Sequence, residues 1–375
     1  MLESLFVPHR VSAFADPALP GALERASAAI ARLDWALSSH PLQPAFLYRA
    51  RLEAVRRQAE ADGYGTDLWH LAATLEGLRL RIRDGLSIAE RCAVLEAPRA
   101  ALGLHQWLTA PDYEMEKQIQ DAERALDKRT STGILISAAG QFHAWLDAGG
   151  ARAPMRAALI RYWVKHQLFR LPVPLTGPKA LSAEAPERVS EWVCAFLHAL
   201  TDEAEDYHQL LIAMEREWFS ARHHVAGRHR SNSRAPMAID VMAAAPLISA
   251  TTLASAIGIS IKSATVTLDE FMAEWIAVEV THRSARRLFG LKGLAPLREE
   301  TARPRRSIPG PGRGRPRRLI EVNEEDPVPP ARLPPITPIE RKAFDYTELE
   351  AVLAHLDPVN RSAKRALDGI ARSSR

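Results

Sequence analysis

Apolar residues in the first two-thirds of this 375-residue chain recur three or four positions apart, the spacing that lines them along one face of an α-helix. Leu23, Ala26, Ile30, Leu33 and Leu37 form one such stripe, stopped by His40 and Pro41. Phe46, Leu47, Ala50, Ala54 and Val55 form a second that runs to Gly63. Leu68, Leu71, Leu75, Leu78 and Ile82 form a third, ended near Gly85. Ser87 opens a fourth run, with Glu90 three residues on at the capping-box spacing. Further helices are predicted over Glu114–Asp127, Ser131–Ala148, Pro154–Phe169 and Pro186–Arg222, with a break in the last left open. Strand-like alternation is scarce before residue 240. An all-α body over residues 1–225 is therefore expected, and its stripes mean core rather than function.

After Trp218 the pattern dissolves into SARHHVAGRHRSNSRAP, polar, basic and rich in small residues. Such a stretch reads as a linker, placed at 226–245. Its histidines, His223, His224 and His229, lack the neighbouring cysteines or carboxylates of a metal site, so a solvated basic connector is the preferred reading and no metal is expected.

Periodicity resumes over residues 246–298. Leu253, Ala254 and Ile257 make the inner face of a short helix. Gly258 stands where the chain must reverse, a place that favours positive φ. Ser260 is the predicted N-cap of a second helix, with Ala264, Thr267, Leu268 and Phe271 facing inward. This is a helix-turn-helix layout, whose second helix lies in the DNA major groove. EWIAVEVT then reads as a strand, HRSARR as a charged turn and LFGL as a returning strand, which makes the unit a winged helix. Ser260, Lys262, Ser263, Thr265 and Val266 would face base edges. His282, Arg283, Arg286 and Arg287 on the wing would reach phosphates or a minor groove. A protein-binding role for the same unit stays open, since only one of the outward positions is a cation.

Charge changes the picture next. The net charge is only +4 although the pI is about 9.2, so basicity that matters must be local. It is concentrated in SIPGPGRGRPRRLIE, residues 307–321. Proline, glycine and arginine in this density cannot offset chain entropy, and residues 299–345 are expected to be a disordered arm. At its centre Arg313-Gly314-Arg315-Pro316 resembles the core of an AT-hook. Glycine and proline keep that backbone narrow, so Arg313 and Arg315 could lie along the negative minor groove of A·T-rich DNA. A short helix and tail, 346–375, would follow.

The helical body carries FHAWLDAGGARAPMRAALIRYWV, residues 142–164. This resembles the Fic-domain signature H-P-F-x-[DE]-G-N-[GK]-R and the helix after it. The resemblance implies His143 as general base, Asp147 as metal ligand, and Arg152 and Arg156 as phosphate arginines for moving AMP onto a protein hydroxyl. Ala144 and Trp145 depart from the signature, and Ala148-Gly149-Gly150-Ala151 replaces Gly-Asn-Gly-Arg, which brings Arg152 one place late. The body therefore reads as a Fic-like helical fold whose catalytic loop has decayed, with a divergent AMP transferase as the alternative. Over its whole length the chain also resembles an uncharacterised bacterial family, often plasmid- or replicon-borne, described only as helix-turn-helix DNA-binding-domain proteins.

Other chemistry is absent from the text. There is no phosphate-loop, H-E-x-x-H or G-x-S-x-G motif. Cys92 and Cys194 lie far apart without a C-x-x-C pair, which fits a reducing cytosol. No apolar run approaches the roughly 20 residues of a membrane span, and the N-terminus lacks a secretory pattern. The expectation is a mainly α, cytoplasmic DNA-binding protein, a transcriptional or replicon-associated regulator that needs no cofactor. Its partner is double-stranded DNA; a second copy of the chain, or a protein bound through the body, is left open.

Overall fold

Helix α1 (Leu19–Leu37) buries Ala22, Ala26, Ala29, Ile30, Leu33 and Leu37. Small residues on that stripe let it lie close to another helix, and its main partner is α8 far along the chain. Between them come α2 (Gln43–Ala61), α3 (Leu68–Leu75), α4 (Ile88–Thr109), α5 (Tyr113–Leu126), α6 (Ile134–Asp147) and α7 (Arg152–Lys165). A 3₁₀ turn (Pro178–Leu181) leads to α8 (Val189–Ala226) and α9 (Ala235–Ala244). Then follow β1 (Ile248–Ser249), α10 (Ala250–Ile257), α11 (Ile261–Ala273), β2 (Ala277–Glu279) and β3 (Leu288–Leu291). This computed structural model describes residues 17–78, 88–128, 133–182, 186, 188–226, 234–281 and 286–297. The chain is mainly α, as its periodicity predicts.

Three departures from the sequence expectation have physical causes. The third stripe leaves the helix at Leu75, before Leu78, while Ile82, Gly85 and the Ser87 cap lie outside the described residues. Gly77 takes φ +66°, its N–H bonds Thr74 O, and Leu78 N–H bonds Ala73 O at 2.9 Å, a closure that ends the helix and buries Leu78. The break left open in the long helix does not occur: α8 runs 38 residues without interruption, about 57 Å at helical rise. The third departure is α9, which occupies much of the stretch read as linker. Pro236 sits in its first turn, where a missing N–H costs nothing. Ala238, Ile239, Val241 and Met242 are buried behind it. Asp240, polar in the sequence, belongs to the same interior. Trp218 Nε1 donates to it at 2.8 Å and Arg222 pairs with it at 3.1 Å, while burial pushes its carboxyl above the usual range.

The three strands form one antiparallel sheet in the order β1–β3–β2. Ile248 faces Phe289, and Ala277, Val278 and Glu279 face Leu291, Gly290 and Phe289. The strand expected over EWIAVEVT is only three residues long, because Trp275 turns the chain with φ +59°. The expected LFGL strand is β3, and all four of its residues are buried. This sheet shares a core with the body: Leu247, Val280 and Leu288 pack with Trp69, Ala72, Ala73 and Leu78 of the α3 region.

Candidate nucleic-acid interface

Local chemistry sets the angle between α10 and α11. Ser249 caps α10 by accepting from Thr252 N–H at 3.1 Å. Gly258, at φ +68°, reverses the chain, and Ile259 N–H closes back on Ala254 O at 3.0 Å. Ser260 then caps α11, its hydroxyl accepting from Ser263 N–H at 3.1 Å. Leu253, Ala254 and Ile257 pack inward from one helix, and Ala264, Leu268 and Phe271 from the other.

The opposite face of α11 is open. Ser260, Lys262 and Ser263 are exposed, as are Ile261 at 55% and Val266 at 49%, while Thr265 is half-buried. One turn further on stand Asp269 and Glu270, both exposed. The two described wing arginines have protein partners. Arg287 donates to Asp269 at 2.8 Å and lies 4.8 Å over the Phe289 ring, so it braces α11 against β3. Arg286, at φ +56°, reaches Gly77 O at 3.4 Å. Arg283 and His282 lie outside the described residues, as do Arg313, Arg315, the 299–345 arm and the 346–375 tail.

Two contacts that sequence reasoning missed fix this unit to the body. Arg49 of α2 is 4% exposed and has no carboxylate beside it. Its guanidinium donates to Ala243 O at 2.6 Å, Ala245 O at 3.1 Å, and Met242 O and Leu294 O at 3.2 Å. Three of these carbonyls lie at the C-terminal end of α9, where a helix dipole favours a cation. Burial lowers the Arg49 pKa to about 9. The second contact is Glu76, just past α3. Its Oε2 accepts from Ser249 N–H at 3.0 Å and Thr252 Oγ1 at 2.7 Å, an acid at the N-terminus of α10. The only sequence signal for Arg49 was a cation standing in the apolar register of α2.

The Fic-like residues occupy two separate arrangements. His143 is 8% exposed, pairs with Asp147 at 3.0 Å one turn on, and packs edge-on against Trp192. Arg152 and Arg156 both meet Asp62, just past the end of α2, and the fully buried Arg156 does so with two nitrogens at 2.7 and 2.9 Å. The loop that would cradle phosphate is filled by Trp145. Its indole donates to Ala151 O at 2.8 Å and lies so close over Gly150 that a Cβ there would stand 2.3 Å from the ring. Of the linker histidines, His223 stacks on Phe219 and His224 lies 3.5 Å from Glu274, while His229 is outside the described residues. Among the described residues no three His, Cys, Asp or Glu side chains gather as a metal site would require.

No protein-family profile matches this sequence, and no protein of curated function is significantly similar to it.

Proposed function

We propose that this protein is a DNA-binding regulator in which α9 through β3 form a winged helix and α11 enters the major groove. The observation that carries the reading is the sheet order β1–β3–β2 beneath an α11 whose face from Lys262 to Val266 is open to solvent. A helix, a short strand, two helices joined by a tight turn and a closing hairpin place the second helix of the pair outermost, where a duplex can be met. Lys262, Ser263, Thr265 and Val266 would face base edges. Arg286 and Arg287 would shape the wing as much as contact phosphate, since each already has a protein partner. The arm beyond residue 298 would add Arg313 and Arg315 in an A·T-rich minor groove, tethered at high effective concentration. The setting would be the cytoplasm; among the described residues no helix is long and apolar enough to cross a membrane.

Gel retardation of fragmented genomic DNA over a salt series tests the reading. Replacing Arg313 and Arg315 by alanine should weaken binding and flatten the slope of log affinity against log salt by roughly 1.8 if both meet phosphates. Failure of the intact chain to retain any fragment at low salt would overturn the proposal. An unchanged slope would remove the arm from it. AMP transfer is the weaker reading, because Arg152 and Arg156 are both already paired with Asp62. Label transfer from ATP to protein that disappears in His143→Ala would restore it.

A further inference from the structure

The hydroxyls at the tip of α11 are partly engaged within the helix itself. Ser260 Oγ accepts from Ser263 N–H, and the two hydroxyls lie 2.9 Å apart, so one of them donates to the other. Thr265 Oγ1 donates to Ile261 O at 2.9 Å, which uses its only proton. Residues 260–268 contain no arginine, asparagine, glutamine, aspartate or glutamate, the side chains that pair in two places with guanine, adenine or cytosine edges. The large apolar side chains that remain outward are Ile261 at 55% exposure and Val266 at 49%, around the single cation Lys262. Val266 stands one turn beyond Lys262, on the middle of the open face.

We infer that α11 selects its DNA sites through the C5-methyl groups of thymine, with Ile261 and Val266 as the specificity-determining contacts. The inference rests on the DNA-binding reading and deepens it. Thymine's methyl is the one apolar feature that the four unmodified bases display in the major groove. Exposed β-branched side chains beside it gain by leaving water. Lys262 would supply attraction to phosphate or a guanine edge and would leave the choice of A·T steps to its neighbours.

Full-length protein is first used to select fragments from genomic DNA. One selected duplex is then made twice, once with thymine and once with deoxyuridine at every thymine position. The two duplexes have the same hydrogen-bonding edges and differ in the methyl groups alone. At fixed salt each contacted methyl should be worth roughly fourfold, from about 0.8 kcal/mol per buried carbon group, so two contacts make the deoxyuridine duplex bind some 15-fold more weakly. The variant carrying Ile261→Ala and Val266→Ala should fold as before, both positions being exposed, and should bring that ratio close to one. Equal affinity for the two duplexes, or a ratio the variant does not change, overturns the inference and leaves DNA binding standing. Selection of no fragment at all overturns both.

Discussion

Replacing Arg49 by methionine tests how the reading unit is held. The substitution keeps the length and apolar stem of the side chain and removes a buried cation with its four donated hydrogen bonds. Four carbonyl groups then face an apolar sulfur. Each lost bond is worth about 1 kcal/mol net, so the unrelieved cost is about 4 kcal/mol. Release from burying a charge without a counter-ion offsets part of it, since burial already lowers the Arg49 pKa to about 9. A net loss of about 2–4 kcal/mol corresponds to a fall of roughly 5–10 °C in Tm for a folded region of this size. Arg49→Lys should fall between, because an ammonium has three donors and cannot fork across carbonyls spread over two chain segments. Differential scanning calorimetry measures the loss, and hydrogen exchange at 235–245 locates it. A methionine variant within 2 °C of wild type, with α9 equally protected, would refute the claim that Arg49 joins body and reader.

Three other outcomes follow from equally local geometry. Glu203 is buried, its carboxylate accepting from Thr176 and Gly177 N–H at 2.8 Å, and burial pushes its pKa up to about 7. The native state then keeps a proton that the unfolded chain has released, so this group's contribution falls as pH rises from about 4.5 to 7. Glu203→Gln should leave stability unchanged near pH 3, well below its ordinary value of 4.5, where the glutamate is protonated in both states. It should raise Tm at pH 8, by up to about 3 kcal/mol in stability, and equal curves would refute the assignment. His105, held neutral down to about 4 by burial and by Arg51, has the opposite trend below pH 6.5, which cancels between variant and wild type. Asp62→Ala strands the buried Arg156 guanidinium and should cost about 3–5 kcal/mol in denaturant unfolding. Adding Arg156→Met should recover part of that loss; no recovery would show that the charge is not the cause. At Gly258 a Cβ meets nothing within 4 Å, so Gly258→Ala reports the positive φ alone and should cost about 1–2 kcal/mol by the same measurement.

What the sequence made legible divides along the range of the interactions. Gly258 and the Ser260 cap were readable because their partners lie within a few residues. The inward faces of α10 and α11 followed from spacing for the same reason. Arg49 could not be read in this way, since its acceptors lie about 190–245 residues onward and are backbone carbonyls that no side-chain pattern marks. Asp240 misled in the opposite direction. A carboxylate beside a basic, glycine-containing run reads as solvated, yet Trp218 and Arg222 from α8 draw it inside and make α9 part of the fold. Among the Fic-like residues, pattern matching located two separate pairs, His143 with Asp147 and Arg152 with Arg156, and the partner of both arginines is Asp62, outside the matched stretch.

The same long-range contacts recast the relation between body and reader. A winged helix hung on a solvated connector would sample many orientations and lose entropy on meeting DNA. Here an arginine from α2 sits at the negative end of α9, and a glutamate after α3 sits at the positive end of α10. Each charge opposes the dipole end it meets, and Trp69, Leu78, Leu247 and Leu288 fill the space between the two parts with shared core. The orientation of α11 is therefore set by the body. Anything that bound the body and disturbed Arg49 or Glu76 would act on α11 without touching its surface. The connection between the helical body and the α10–α11 unit runs through two helix ends and a common core.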